Sequence, residues 1–123
     1  MDTMINPGRM TRFITIERLI EKVQPSGAVS QRWWPHCGLR AELMQQSAED
    51  YLSGAGEGVT GRAVFRVWYR HDITTGDRVI YNGETYQITG LVELGTRRGL
   101  DIQATSQGTQ AQFTRNLRDG LIQ

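Results

Sequence analysis

Val79-Ile80-Tyr81-Asn82-Gly83-Glu84-Thr85-Tyr86-Gln87-Ile88 is the stretch on which the reading of this chain turns. An Asn-Gly pair between alternating apolar residues favours a type I′ hairpin turn, because both central residues must take positive φ. That turn sets Tyr81 opposite Glu84 and Val79 opposite Tyr86. Val79, Tyr81, Tyr86 and Ile88 then share one face, so turn chemistry and hydrophobic pattern specify the same register. The stretch reads as a β-hairpin with one dry face.

The same period of two extends outward on both sides. Arg12 to Ile20 reads as a first strand, with Ile14, Ile16 and Ile20 on one face. Gln24-Pro25-Ser26-Gly27 supplies turn chemistry. Cys37, Leu39, Ala41 and Leu43 alternate with Gly38, Arg40 and Glu42, the pattern of a strand with one face dry and one wet. Ala63, Phe65, Val67 and Tyr69 repeat it against Arg62, Arg66 and Arg70, and Leu100, Ile102 and Ala104 close the series. Closely spaced strands with no helix between them predict an all-β fold, a small antiparallel β-barrel or sandwich of about six strands. Residues 12–105 form this domain. Residues 1–11 and 106–123 are expected as flexible terminal segments. Gln45 to Gly61 carries Ser53, Gly54, Gly56, Gly58 and Gly61 and is expected as one long loop, with a turn or two of helix over Gln45 to Leu52.

Composition narrows the function. A chain of 123 residues is one domain, long enough to hide about two-thirds of its unfolded surface. Fourteen Lys+Arg against thirteen Asp+Glu give a net charge of +1, which argues against a protein that coats nucleic acid. Lys22 is the only lysine; the other basic residues are arginines, whose planar fork suits ion pairs within interfaces. One cysteine, Cys37, excludes an internal disulfide and any multi-cysteine zinc site. The first ten residues lack an apolar signal region, and no apolar run approaches the roughly 18 residues of a membrane span. A soluble protein made inside the cell is expected.

Catalytic chemistry finds no support. His36 is adjacent to Cys37, so on a strand the two side chains point to opposite faces. Cys37 falls on the apolar face, where a free cysteine acts as a small hydrophobe. His36, Cys37, His71 and Asp72 lack the spacing of a metal site. Gly54-Ala55-Gly56-Glu57-Gly58 is not followed by the residues of a phosphate loop. No enzyme activity, cofactor or metal is expected. Trp33, Trp34, Trp68, Tyr69, Arg66 and Arg70 suit a stacking platform for single-stranded nucleic acid. An outward Trp68 between Arg66 and Arg70 equally suits a protein contact, because Trp and Arg are enriched at binding hot spots. The net charge of +1 favours protein.

In order, the chain presents Gly8-Arg9-Met10-Thr11-Arg12-Phe13-Ile14-Thr15-Ile16, Gly27, Trp34 and Ala41-Glu42. Then follow Phe65-Arg66-Val67-Trp68-Tyr69-Arg70, Ile73, Gly76-Asp77-Arg78-Val79, Tyr81-Asn82-Gly83, Tyr86, Ile88, Arg97-Arg98 and Leu100-Asp101-Ile102. This series resembles the phage head–tail joining proteins, also called head-closure or stopper proteins. The resemblance runs from Gly8 to about Ser106.

It implies a structural subunit of a homo-oligomeric ring, a hexamer or dodecamer, that joins the DNA-filled head to the tail. Such a ring holds the DNA in and docks the tail. Connector or adaptor and portal proteins lie above it, and tail-terminator or tail-tube proteins below. DNA passes through the lumen without sequence-specific binding. The implied location is the head–tail interface of a virion made in the bacterial host cytoplasm, whether phage, prophage or gene transfer agent. The resemblance also implies that the long loop projects toward the lumen, where Glu49, Asp50 and Glu57 would repel DNA. Arg66, Trp68 and Arg70 would meet neighbouring subunits. Phe113, Leu117 and Leu121, spaced i, i+4, i+8, would dock on a partner. A tail-completion or tail-terminator protein is the alternative within structural proteins. A single-stranded nucleic-acid-binding barrel is the alternative outside them.

Overall fold

At the Asn-Gly turn, φ is 54° at Asn82 and 81° at Gly83, the two positive values that a type I′ turn requires. Tyr81 pairs with Glu84 and Val79 with Tyr86, the register expected from sequence. The computed structural model describes the backbone of residues 5–53 and 56–106, and the side chains of 5–47 and 61–106. Its strands are β1 (Arg12–Val23), β2 (Val29–Ser53), β3 (Gly56–Trp68), β4 (Arg78–Tyr81), β5 (Glu84–Leu94) and β6 (Gly99–Ser106). All pairings are antiparallel, and the order β1-β2-β3-β6-β5-β4 closes through a short β4–β1 contact into a barrel. The all-β expectation holds, and of its two forms the barrel is the one adopted.

Alternation fills the interior. Ile14 and Ile16 of β1, Ala41 of β2, Ala63, Phe65 and Val67 of β3, Val79 of β4, Tyr86 and Ile88 of β5, and Leu100, Ile102 and Ala104 of β6 form one buried cluster. Phe65 is fully buried and meets Tyr81 and Tyr86 edge-on, with ring centroids 5.3 and 5.7 Å away. Burying such a ring contributes roughly 1.5–3 kcal/mol by area alone, and edge-to-face pairs add to it. Alanines on β2, β3 and β6 leave room for the ring. Three register shifts, at Ile16/Glu17, Leu43/Gln45 and Ile88/Gly90, bend the strands as a small closed barrel requires.

The first of these shifts changes the fate of β1. The extra residue lies in β2, where Ile16 pairs with Cys37 but Glu17 pairs with Pro35. β4 pairs with β1 only from Thr15 to Glu17. Beyond that point β1 and β2 continue as a two-stranded ribbon with no third strand. Ile20, expected on the buried face, is therefore 44% exposed. The pattern was right to Ile16 and then lost its cover.

The segment expected as a long loop is paired backbone. β2 and β3 remain in register from Gln45↔Val64 to Ser53↔Gly56, so Gln45 to Leu52 is strand rather than helix. A hairpin extending beyond the barrel has no core face, so its sequence carries no alternation to read. Its backbone groups are satisfied by each other. Composition alone cannot tell such paired backbone from a loop.

Of the expected N-terminal segment, Ile5 and Met10 pack on the barrel while Asn6 to Arg9 and Thr11 stay exposed. Asn6 caps a 3-10 turn, Pro7–Arg9, by accepting from the Gly8 N–H at 3.1 Å. Met10 is 5% exposed. A Cβ at Gly99 would lie 2.5 Å from Ile5 Cδ1, so the glycine makes the seat for Ile5 on the outer wall. The C-terminal segment beyond Ser106, with Phe113, Leu117 and Leu121, lies outside the described residues.

Candidate functional site

Where the β1–β2 ribbon leaves the barrel, charged side chains gather. Arg18 follows Ile14 and Ile16 on the inward register of β1, so its guanidinium lies at the rim of the core rather than in open water. There it forks onto Asp77, with Nε–Oδ1 at 3.0 Å and Nη2–Oδ2 at 2.9 Å, and Nη2 also donates to the Asp72 carbonyl at 2.6 Å. Asp77 is 1% exposed and accepts a third bond from the Thr74 N–H at 2.9 Å. Burial by itself pushes the Asp77 carboxyl up; the bonds from Arg18 and Thr74 outweigh that and hold it below the usual aspartate range.

The rim continues through the β3–β4 connection. Arg70 donates to both Asp72 oxygens, Nε at 2.9 Å and Nη2 at 2.8 Å, and His36 Nε2 lies 3.0 Å from the same carboxylate. Arg70 first, and His36 with it, hold Asp72 well below the ordinary carboxylate range. On the outer side, Arg78 donates to Glu17 at 2.8 Å and lies 4.1 Å from the Trp33 ring centroid. Gln87 donates to the Thr75 and Asp77 carbonyls at 3.0 and 3.1 Å, tying β5 to the same connection. β1, β2, β4 and the loop before β4 are thereby locked together, which fixes the base of the ribbon.

Arg66 and Trp68 share the outer face of β3, as the sequence indicated. Arg66 pairs across the sheet with Asp101 of β6 through two bonds of 2.8 and 2.9 Å, and both side chains are largely covered. Arg9, in the N-terminal segment, reaches Glu42 at 3.8 Å on the same wall. Trp68 is 53% exposed. Arg70 is placed differently from expectation: β3 ends at Trp68, so Arg70 lies in the connection and binds Asp72. The carboxylates that engage Arg66 and Arg70 come from this chain itself.

Glu49, Asp50 and Glu57 lie on the β2–β3 hairpin, at Glu49↔Thr60, Asp50↔Val59 and Leu52↔Glu57. Their side chains lie outside those described. Cys37 is half-buried, and burial pushes its thiol up despite nearby Arg70, which keeps it protonated and a poor nucleophile. His36 is engaged by Asp72 rather than by Cys37.

Sequence reasoning missed the Arg18–Asp77 pair. The signal was present: an arginine on the inward register after Ile14 and Ile16 needs a buried carboxylate, and Asp77 in Thr74-Thr75-Gly76-Asp77 is shaped to take a backbone N–H as well. Also missed was the exposure of the ribbon, where Trp34 is 49% exposed with the Arg32 guanidinium 5.5 Å from its ring centroid.

The chain is thus a closed six-strand barrel with an Arg18–Asp77 pair at its rim and a two-stranded ribbon leaving it there. The chain belongs to the phage head completion protein family, whose model matches residues 5–107. That membership gives it a structural part in completing the phage head, in association with other head proteins. Its fold is similar to that of a chain in the virion of a native gene transfer agent particle, with a TM-score of 0.63 and 13% identity over 77% of this chain and 92% of that one. It is also similar to a protein from Shigella flexneri 2a solved in solution, with a TM-score of 0.62 and 23% identity over 84% and 97%. At these identities the likeness is one of fold. No curated protein matches the chain.

Proposed function

We propose that this protein is a subunit of the ring that closes the filled head and joins it to the tail, retaining DNA and docking the next component. Membership in the head completion family across the whole barrel carries the reading. The shape supports it. β2 runs 25 residues, from the tip of the β1–β2 ribbon through the barrel wall to the tip of the β2–β3 hairpin. One strand thus links two projections, as a subunit that touches partners on more than one side needs.

Past the barrel wall the β2–β3 hairpin extends from Ala48↔Gly61 to Ser53↔Gly56, a reach of roughly 17 Å at about 3.3 Å per residue. Residues 48–60 carry Glu49, Asp50 and Glu57 and no basic residue. In a ring whose hairpins point to the lumen, these carboxylates line the path of DNA and keep it sliding, because phosphate contacts that bind DNA need Lys or Arg. Trp68 on the outer wall is the contact for a neighbouring subunit or ring partner. Phe113, Leu117 and Leu121 dock on an adjoining component.

Electron microscopy of assembled particles tests the reading. Density for the barrel between the portal assembly and the tail, in a closed ring, is the expected result. Density one ring lower, on the tail side, makes the protein a tail terminator instead. Salt-dependent binding of single-stranded DNA by the free protein would favour the nucleic-acid alternative; no binding is expected.

A further inference from the structure

Beyond Glu17 the β1–β2 ribbon has two open faces, and they differ in charge. The register Ile20↔Arg32, Lys22↔Ser30 and Arg18↔Trp34 puts Ile20, Lys22, Arg32 and Trp34 on one face. Leu19↔Trp33, Glu21↔Gln31 and Val23↔Val29 put Leu19, Trp33, Glu21, Gln31, Val23 and Val29 on the other, where the Arg78 cation over Trp33 is already paired with Glu17. Ile20, Val23, Val29 and Trp34 are 44, 69, 58 and 49% exposed. One face therefore carries two cations, Lys22 and Arg32, around Ile20 and Trp34, and the opposite face one open carboxylate, Glu21, beside Val23 and Val29. Among the described residues Glu21 accepts only from Gln31, at 2.6 Å, and keeps acceptor capacity for a cation. Lys22 and Arg32 have no carboxylate within ion-pair distance among the described side chains.

We propose that this ribbon is a contact between copies of the chain, the Lys22/Arg32 face of one copy lying on the Glu21/Val23/Val29 face of the next. A partner of another kind would need to complement only one face. A second copy complements both, and the two faces of one thin ribbon are back to back, so each copy passes the contact on. Contacts of this head-to-tail type close into rings when the rotation between copies allows. The inference rests on the ring reading and names the surface that reading leaves open.

Size sets the strength. The ribbon's six residue pairs, Arg18↔Trp34 to Val23↔Val29, span only roughly 16 Å, too little for a two-stranded face to bury the ~800 Å² per partner of stable complexes. Association through the ribbon alone is weak and rises with concentration, which suits a subunit that joins a ring only when a template gathers it.

Charge reversal tests this. Sedimentation velocity and native mass spectrometry are run on the wild-type chain, on Lys22→Glu/Arg32→Glu and on Glu21→Lys, with circular dichroism to check that each is folded. Wild type is expected to self-associate as concentration rises toward the millimolar range. Each variant alone sets like charge against like and is expected to associate at least tenfold more weakly. An equimolar mixture of the two restores opposite charges at both kinds of contact and is expected to recover association to within about threefold of wild type. Wild type that stays monomeric, variants that associate like wild type, or a mixture that recovers nothing would each overturn the ribbon contact. A ring seen in particles built from either variant, unchanged in occupancy, removes the ribbon and leaves the ring. Absence of the protein from any ring removes the ring reading whatever the ribbon does.

Discussion

The ribbon is a continuation of two of the barrel's six strands, yet barrel and ribbon treat charge in opposite ways. Within the barrel and its rim, Arg18 meets Asp77, Arg66 meets Asp101, Arg70 meets Asp72 and Arg78 meets Glu17, all inside one chain. Among the ribbon's described side chains, Lys22 and Arg32 meet no carboxylate, and apolar side chains stand in water beside them. The pivot is one residue, Arg18, the last member of the inward row and the first of the ribbon. A charge that must leave water is satisfied locally, because an unpaired buried ion is costly. A charge that stays in water can remain open for a partner. Where arginines outnumber lysines so heavily, the forked bonds of the rim show one use of the excess.

If that division is right, the barrel side responds to substitution with large losses of stability. Phe65→Ala should cost about 4 kcal/mol, since it removes a fully buried ring with two edge-on aromatic neighbours from a small interior. Urea or thermal denaturation measures it. A loss under about 1 kcal/mol would mean the interior is far more loosely packed than a fully buried Phe65 between two aromatic neighbours implies.

Asp77→Asn comes next, and it sharpens the comparison because it leaves Arg18 without its anion. The expected loss is about 3 kcal/mol at pH 7, the low end for a broken buried pair, since the Arg18 side chain is 34% exposed and can turn to water. Asp77 is held below its unfolded pKa, so its contribution is complete above about pH 4 and falls away as the pH drops below that value. Wild type and variant should therefore converge in acid. A gap that stays constant down to pH 2 would show that the pair contributes packing rather than charge.

How much of this was legible follows the same line. The hairpin at Asn82-Gly83 and the inward rows of β3 and β6 could be read because a buried face writes a period of two into the sequence. Ile20 was misplaced because a bulge and the end of β4 are facts about neighbours, and β1 does not record them. The 45–61 hairpin was invisible for a related reason: backbone pairing outside a core asks little of side chains. Trp68 and Arg66 were found on the outer face, but the partner of Arg66 depends on which strand lies beside β3. That neighbour is β6, more than thirty residues away in sequence. Asp77 was noticed as part of Gly76-Asp77-Arg78 and not as a buried anion, since burial of a loop carboxylate is set by the strand that crosses it.

Gly83→Ala addresses the turn on which the register depends. A Cβ there meets nothing within 4 Å, while φ is +81°, so the whole cost is backbone strain. About 1 kcal/mol is expected, read as a modest fall in thermal midpoint with the barrel's circular dichroism unchanged. A neutral result would mean that the turn relaxes to another type, and the register would then be held by the Val79–Tyr86 face alone.

The smallest effect on stability should come from the ribbon, and there the comparison is most exposed to failure. Ile20→Thr and Val23→Thr replace side chains already 44 and 69% exposed with a β-branched residue that keeps the strand preference. Each should change monomer stability by less than about 0.5 kcal/mol, the usual range for surface sites. The barrel would not register them. Yet the two lie on opposite faces of the ribbon, so both should lower the yield of assembled particles in an otherwise unchanged assembly reaction. Large loss of stability from either would place the ribbon within the folded unit after all. Silence in both stability and assembly would leave its exposed apolar residues as ordinary surface. Only a change confined to assembly fits a strand pair that belongs to one chain by covalent connection and to a second by contact.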